Sequence, residues 1–138
     1  MQELEWITYD GEQLALIIRG GYQPEKTHFV TPEQFKQQVG FIVYGRGTAI
    51  EAHIHKPHTR TIQGTSEVLI VRKGKVEAFF FSRQKSLVTK CILLKDDVLL
   101  LIAGGHAFRM VDDSILLEIK QGPFLGVDDK DRFTWSDQ

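Results

Sequence analysis

The sequence predicts an all-β fold of jelly-roll type. Apolar and polar residues alternate with a period of two, turn residues interrupt that alternation at short intervals, and eight strand-like runs follow one another from residue 40 onward. Eight short antiparallel strands fit a jelly-roll barrel, with at most one short helix near the N-terminus.

In chain order, a first strand is expected at residues 14–18 and is stopped by Gly20-Gly21. Thr31-Pro32-Glu33-Gln34-Phe35 has the form of a helix start, with Thr as N-cap and Pro at the first helical position, so one short helix is expected there. Strands are expected at 40–44, 49–55, 67–71, 76–81, 87–94, 98–102, 107–111 and 115–120. Arg72-Lys73-Gly74-Lys75 reads as a hairpin turn, with Gly supplying the positive φ, and Asp112-Asp113 as another. Lys95-Asp96-Asp97 opens an apolar strand that leads into Ala103-Gly104-Gly105-His106, where glycines allow a tight turn.

The chain of 138 residues suits one domain, in which residues 1–40 give the N-terminal strands and helix and 41–120 the barrel. Residues 121–138 are expected to form a strap across its outside, with apolar points at Phe124, Leu125, Phe133 and Trp135. Hydrophobic residues at 42% and charged residues at 25% are ordinary globular usage, which argues against disorder or a fibrous repeat. A net charge of −1 and the lack of a basic run interleaved with aromatics argue against nucleic acid or an anionic membrane as partner. The longest apolar run, residues 98–103, is far short of the roughly 20 residues that span a bilayer. Cys91 is the single cysteine, read as a small buried hydrophobe, and the opening residues do not resemble a signal peptide. A cytoplasmic setting is therefore expected.

Chemistry concentrates on histidine. In an extended strand, residues two apart point to one face, so His53 and His55 can enter one cavity. Glu67 and His106 lie on later apolar segments, and a folded sheet is needed to bring them to the same place. Three imidazoles and a carboxylate suit Fe(II), Mn(II), Ni(II), Zn(II) or Co(II), and leave two positions of an octahedral ion open to water or substrate. Glu51 shares the parity of the His pair and is a candidate to orient a ligand imidazole. The apolar opposite side, Ile50, Ala52 and Ile54, calls for cover by N-terminal strands or a second subunit.

These residues resemble the cupins. Gly47-x5-His53-x-His55, followed by Glu67-x6-Gly74, is similar to the first cupin motif, and Asp97-x5-Ala103-Gly104-Gly105-His106 to a degenerate second one. The resemblance implies a double-stranded β-helix of jelly-roll type and metal ligation by His53, His55, Glu67 and His106. It also implies a homodimer. The chain departs from the pattern in three ways: residues 56–65 are inserted between the His pair and Glu67, the second motif is shorter and lacks its Pro and leading Gly, and no Asn follows His106. The ending and Thr59-Arg60-Thr61-Ile62-Gln63-Gly64-Thr65 resemble small stand-alone cupins without an assigned reaction.

Within the insertion, His58, Arg60 and Gln63 are candidates for contact with a carboxylate, phosphate or sugar hydroxyl. Phe108 and Met110 share the parity of His106 and are candidates for an apolar wall, whereas Arg109 points the other way. The expected function is a small-molecule enzyme whose divalent metal acts on a sugar derivative or a keto or hydroxy acid, with Glu51 or Glu118 accepting protons. Two alternatives stand beside it: a binding or sensing module without turnover, and a metal-free enzyme similar to sugar-nucleotide isomerases, with histidine as acid or base.

Overall fold

The computed structural model describes residues 3–136, and among them strands dominate and no α-helix occurs. They fall into two compact units, one made of the chain up to Tyr22 and from Thr65 onward, the other of Gln23–Gly64.

In the first unit, β1 (Leu4–Tyr9) and β2 (Glu12–Ile18) form a hairpin. Asp10 and Gly11 close it at φ 51° and 78°, the two left-handed residues that a tight hairpin turn requires. After the β3–β4 pair of the second unit come β5 (Glu67–Lys73), β6 (Lys75–Phe81), β7 (Leu87–Leu94), β8 (Val98–Leu101), β9 (Gly105–Met110) and β10 (Ile115–Lys120). One sheet has the order β1-β2-β8-β5-β10 and another β7-β6-β9, and every pairing is antiparallel. The expected runs at 14–18, 67–71, 76–81, 87–94, 98–102, 107–111 and 115–120 all correspond to strands, whereas β1 was not foreseen.

Ala15, Ile17, Leu69, Val71, Leu99 and Leu101 of the larger sheet meet Val76, Ala78, Phe80 and Leu93 of the smaller in one buried cluster. Two sheets sharing a core by alternate side chains make a β-sandwich. β1, β10, β7 and β9 each have one neighbour, so the described strands do not close into the expected barrel.

Gly74 shows why the sheets remain separate. The segment around it was expected to be a hairpin turn, yet β5 pairs with β8 and β10 while β6 pairs with β7 and β9, so the turn carries the chain from one sheet to the other. Gly74 has φ 94°, and a Cβ there would overlap the Ser114 hydroxyl and the Asp113 carbonyl, which belong to the second crossing, between β9 and β10. Lys75 N–H donates to Ser114 Oγ at 3.2 Å and Val111 N–H to the Lys75 carbonyl at 2.8 Å, tying the two crossings together.

Asp97 locks the opposite side of the larger sheet. It is 4% exposed and accepts from Arg19 at 2.8 Å, Gly20 N–H at 2.9 Å and Leu94 N–H at 2.8 Å. Glu5 takes the remainder of the Arg19 guanidinium at 2.6 and 3.0 Å, so β1, β2 and the β7–β8 turn share one ion-paired centre. On the outer face of β6, the Trp135 ring lies 4.4 Å from Phe79 and the Phe133 ring 5.1 Å from Phe81, so the C-terminal segment covers aromatics that would otherwise meet water.

In the second unit the regular structure is β3 (His28–Phe29) paired with β4 (Gly40–Phe41). The helix expected after Thr31 is replaced by a turn in which Phe35 N–H reaches the Pro32 carbonyl at 3.1 Å. Thr31 does not act as an N-cap because its hydroxyl binds Gln38 Oε1 at 2.8 Å and accepts from Val39 N–H at 3.1 Å. The Gln38 amide in turn donates to the carbonyls of Pro32 and Phe35, at 2.9 and 2.8 Å. The expected strand at 40–44 is reduced to Gly40–Phe41, and that at 49–55 is absent: residues 49–55 are exposed and have no ladder partner. Alternation alone does not hold a strand without a neighbour to bond its backbone. Among the described residues, no helix is long and apolar enough to cross a membrane.

Candidate functional site

Glu67 opens β5 and shares the parity of Leu69 and Val71, so its side chain enters the inner face of the larger sheet, where it is 9% exposed. On β10, Leu116, Glu118 and Lys120 stand opposite Val71, Leu69 and Glu67, and therefore occupy the same face. Lys120 is thus the direct cross-strand neighbour of Glu67, and Glu118 a diagonal one, within reach of a long side chain.

The two carboxyl groups are in hydrogen-bonding contact. Burial, first, and then the neighbouring Glu118 carboxylate push the Glu67 carboxyl up to about 7. Glu118, which is exposed, is held below its usual range, chiefly by the hydrogen bond from Glu67 and with help from Lys120 and Lys130. Below about pH 7 the pair therefore holds one proton, on Glu67, and near neutrality Glu67 shifts readily between its two forms. Lys120 Nζ lies 3.7 Å from Glu118.

His106 faces this pair from the other sheet. It stands opposite the buried Phe80 on β6, which turns it toward the space between the sheets, and its ring is 5.7 Å from that of Phe108. The residue is exposed, yet enough protein surrounds the ring that burial, reinforced by Lys130, lowers its pKa, while Glu118 acts in the opposite sense. A solvent-reached ring with a lowered pKa is a neutral imidazole at neutral pH, able to exchange a proton with water.

Phe108 packs against the core, as its parity implied, and Arg109 points to the outer face, where its guanidinium lies 5.3 Å from the Phe79 ring centre. Met110 is 49% exposed and borders a shallow, open hollow lined by Lys73, Gly74 and residues 110–114. That hollow is at the far end of the seven-residue β5, roughly 20 Å from Glu67, so it is separate from the carboxyl pair.

The remaining predicted residues belong to the second unit. The His53 and His55 rings meet edge to face, 5.2 Å between centres, and His53 Nδ1 is 2.8 Å from the backbone carbonyl of Glu51. Glu51, His58, Arg60 and Gln63 are exposed, and the Gln63 carbonyl accepts from Lys36 Nζ at 2.5 Å. Of the four expected metal ligands, His53 and His55 therefore lie in one unit and Glu67 and His106 in the other. Among the described residues, no group of three or more His, Cys, Asp or Glu side chains is gathered as a metal site. Lys120 and Lys130 were not foreseen. Lys120 could have been read from its spacing of two from Glu118 on a predicted strand, whereas Lys130 follows an irregular segment and left no such signal.

No family model, curated protein or solved structure matches this chain.

Proposed function

We propose that the end of the sandwich around Glu67 is the active site of a cupin-like small-molecule enzyme that moves protons on an oxygen-rich substrate, a sugar derivative or a keto or hydroxy acid. The observation that carries this reading is the contact of Glu67 with Glu118, which separates the proton affinities of two neighbouring carboxyls. Groups driven apart in this way serve as acid and base at one pH. Ionised Glu118 takes a proton from carbon beside a carbonyl, Glu67 delivers its proton to the carbonyl oxygen, and the reverse transfers return product and enzyme. The proton that Glu118 has taken exchanges with water, directly or through neutral His106, before one is returned to carbon.

The test is deuterium incorporation. In heavy water, a panel of keto acids, hydroxy acids and nucleotide sugars is expected to gain deuterium beside the carbonyl with wild type, and not with Glu67→Gln or Glu118→Gln. Retention of exchange in both variants contradicts the assignment. Binding without exchange across the panel points to the binding or sensing module.

A metal-dependent reading is supported by donor chemistry: Glu67 and His106 bring a carboxylate and a neutral imidazole from strands of the two sheets. These types suit a divalent Fe, Mn, Ni, Zn or Co ion, which would supply a Lewis acid to polarise a substrate oxygen. Metal analysis of protein purified without a His tag, beside His106→Ala, tests it: stoichiometric metal lost in the variant supports this reading, and wild type without metal contradicts it.

A further inference from the structure

The outer face of the larger sheet is apolar from β2 to β10, but only part of it is shielded. Leu16, Leu100 and Val68 are buried there, whereas Ile115, Leu117 and Ile119, which continue the same face onto β10, are between 41% and 56% exposed. Ile119 stands opposite Val68 and Leu117 opposite Ile70, so an apolar layer runs out to an edge strand and ends in water. Sheet edges are ordinarily guarded by charge or by cover. Lys90 on β7 and Arg109 on β9 lie over the outer face of the smaller sheet, and residues 4–7 of β1 are half-buried. The outer face of β10 has no charged side chain.

The pattern on that face is a palindrome. Ile115, Leu117 and Ile119 read the same from either end, and in an antiparallel pair directly opposite residues share a face. A two-fold axis at Leu117 therefore sets Leu117 against Leu117 of the partner subunit, and Ile115 against Ile119 of the partner subunit, twice. The same arrangement brings the end of one β10 beside the start of the other. At the start of β10 lies the open hollow lined by Lys73, Gly74 and residues 110–114, where Met110 and Val111 are exposed. Four residues past its end, Phe124 is 85% exposed, and Leu125 beside it is exposed too. Four residues of chain reach up to about 13 Å, enough to carry Phe124 to the neighbouring hollow. The exposed parts of these apolar side chains come to roughly 800 Å² a copy, what each partner of a standard specific interface buries.

We infer that β10 pairs antiparallel with β10 of a second copy of this chain, joining two five-stranded sheets into one continuous sheet, with Phe124 of each copy seated in the other's hollow. The surface is self-complementary in both parts: the strand matches itself about Leu117, and the exposed aromatic of each copy meets the apolar hollow of the other. Nothing in this pairing depends on the chemistry proposed at Glu67.

The test is the mass of the full chain by sedimentation at micromolar concentration, with amide hydrogen exchange of β10 followed alongside. Wild type is expected at twice the mass of one chain, with β10 amides protected. Leu117→Lys and Leu117→Glu should each sediment as folded monomers, because like charges meet across the axis, and an equimolar mixture of the two should recover the dimer. Phe124→Ala should weaken association at least tenfold, whereas Leu87→Lys, exposed on an edge of the other sheet, should leave it unchanged. A monomeric wild type overturns the proposal, whether its β10 amides exchange freely or are protected by another segment of the same chain. So does a dimer that both Leu117 variants leave intact, or one lost in folded variants and not restored by mixing them. Where a Leu117 variant loses its folded circular dichroism, Phe124→Ala carries the test, and unchanged association there overturns the pairing.

Discussion

Glu67 and Glu118, on neighbouring antiparallel strands, meet carboxyl to carboxyl at the end of the sandwich where β5 begins and β10 finishes, and the contact helps push the Glu67 carboxyl up to about 7. Burial favours the protonated form of Glu67, and the hydrogen bond from Glu67 favours the charged form of Glu118. Each of the following expectations comes from this pair or from a contact that fixes the strands carrying it.

Stability should respond to pH through Glu67. Its folded pKa is raised above the ordinary 4.5, so its contribution is complete below about 4.5 and is lost as pH rises through about 7. Glu118 is lowered, and its contribution runs the other way, present above the ordinary value and lost in acid. Between about pH 5 and about pH 8, Glu67→Gln should lose less stability than wild type, by on the order of 1–2 kcal/mol, in urea unfolding. An identical decline in both proteins would refute the assignment.

His106 should titrate below its ordinary 6.5. A lowered imidazole favours the folded state above that value and withdraws its support as pH falls. Lys130→Gln should raise the midpoint and Glu118→Gln should lower it further, because Lys130 disfavours the charged ring and Glu118 favours it. Proton NMR of the ring C–H signals measures all three, and a midpoint above 6.5 in wild type would contradict the placement.

Asp97→Ala should cost about 3 kcal/mol, since it leaves the nearly buried Arg19 guanidinium and two backbone N–H groups without their shared acceptor. Equilibrium unfolding reads the loss; a change under about 1 kcal/mol would show that solvent replaces Asp97 freely.

Gly74→Ala should destabilise by about 2–4 kcal/mol, because a Cβ meets Ser114 and Asp113 on a backbone with φ 94°. Combining it with Ser114→Gly should recover only the part that comes from the hydroxyl, leaving the strain of the left-handed conformation. Full recovery would assign the whole effect to crowding.

The sandwich was largely legible because its strands are written in alternation with burial on one face. The parity that paired His106 with Phe108 and opposed it to Arg109 agrees with the register to β6. The β1–β2 hairpin carries a strong turn signal in Asp10-Gly11, but only its second strand, at residues 14–18, is a continuous apolar run. Gly74 was read for its φ and misread for its destination: a positive-φ glycine fixes a turn, whereas the sheet that accepts the next strand is set by distant pairing. His53 and His55 show the limit of parity, which places two side chains on one face only if the segment has a strand beside it. Glu67 and Glu118 were each singled out in the sequence, but their contact depends on the β5–β10 register.

The most direct measurement is the carbon-13 titration of the Glu67 side-chain carboxyl in wild type and in Glu118→Gln. The account predicts a midpoint near 7 in wild type and a lower one in the variant, where the partner carboxylate is gone and burial alone remains. A wild-type midpoint at the ordinary 4.5, unchanged by the substitution, would contradict it.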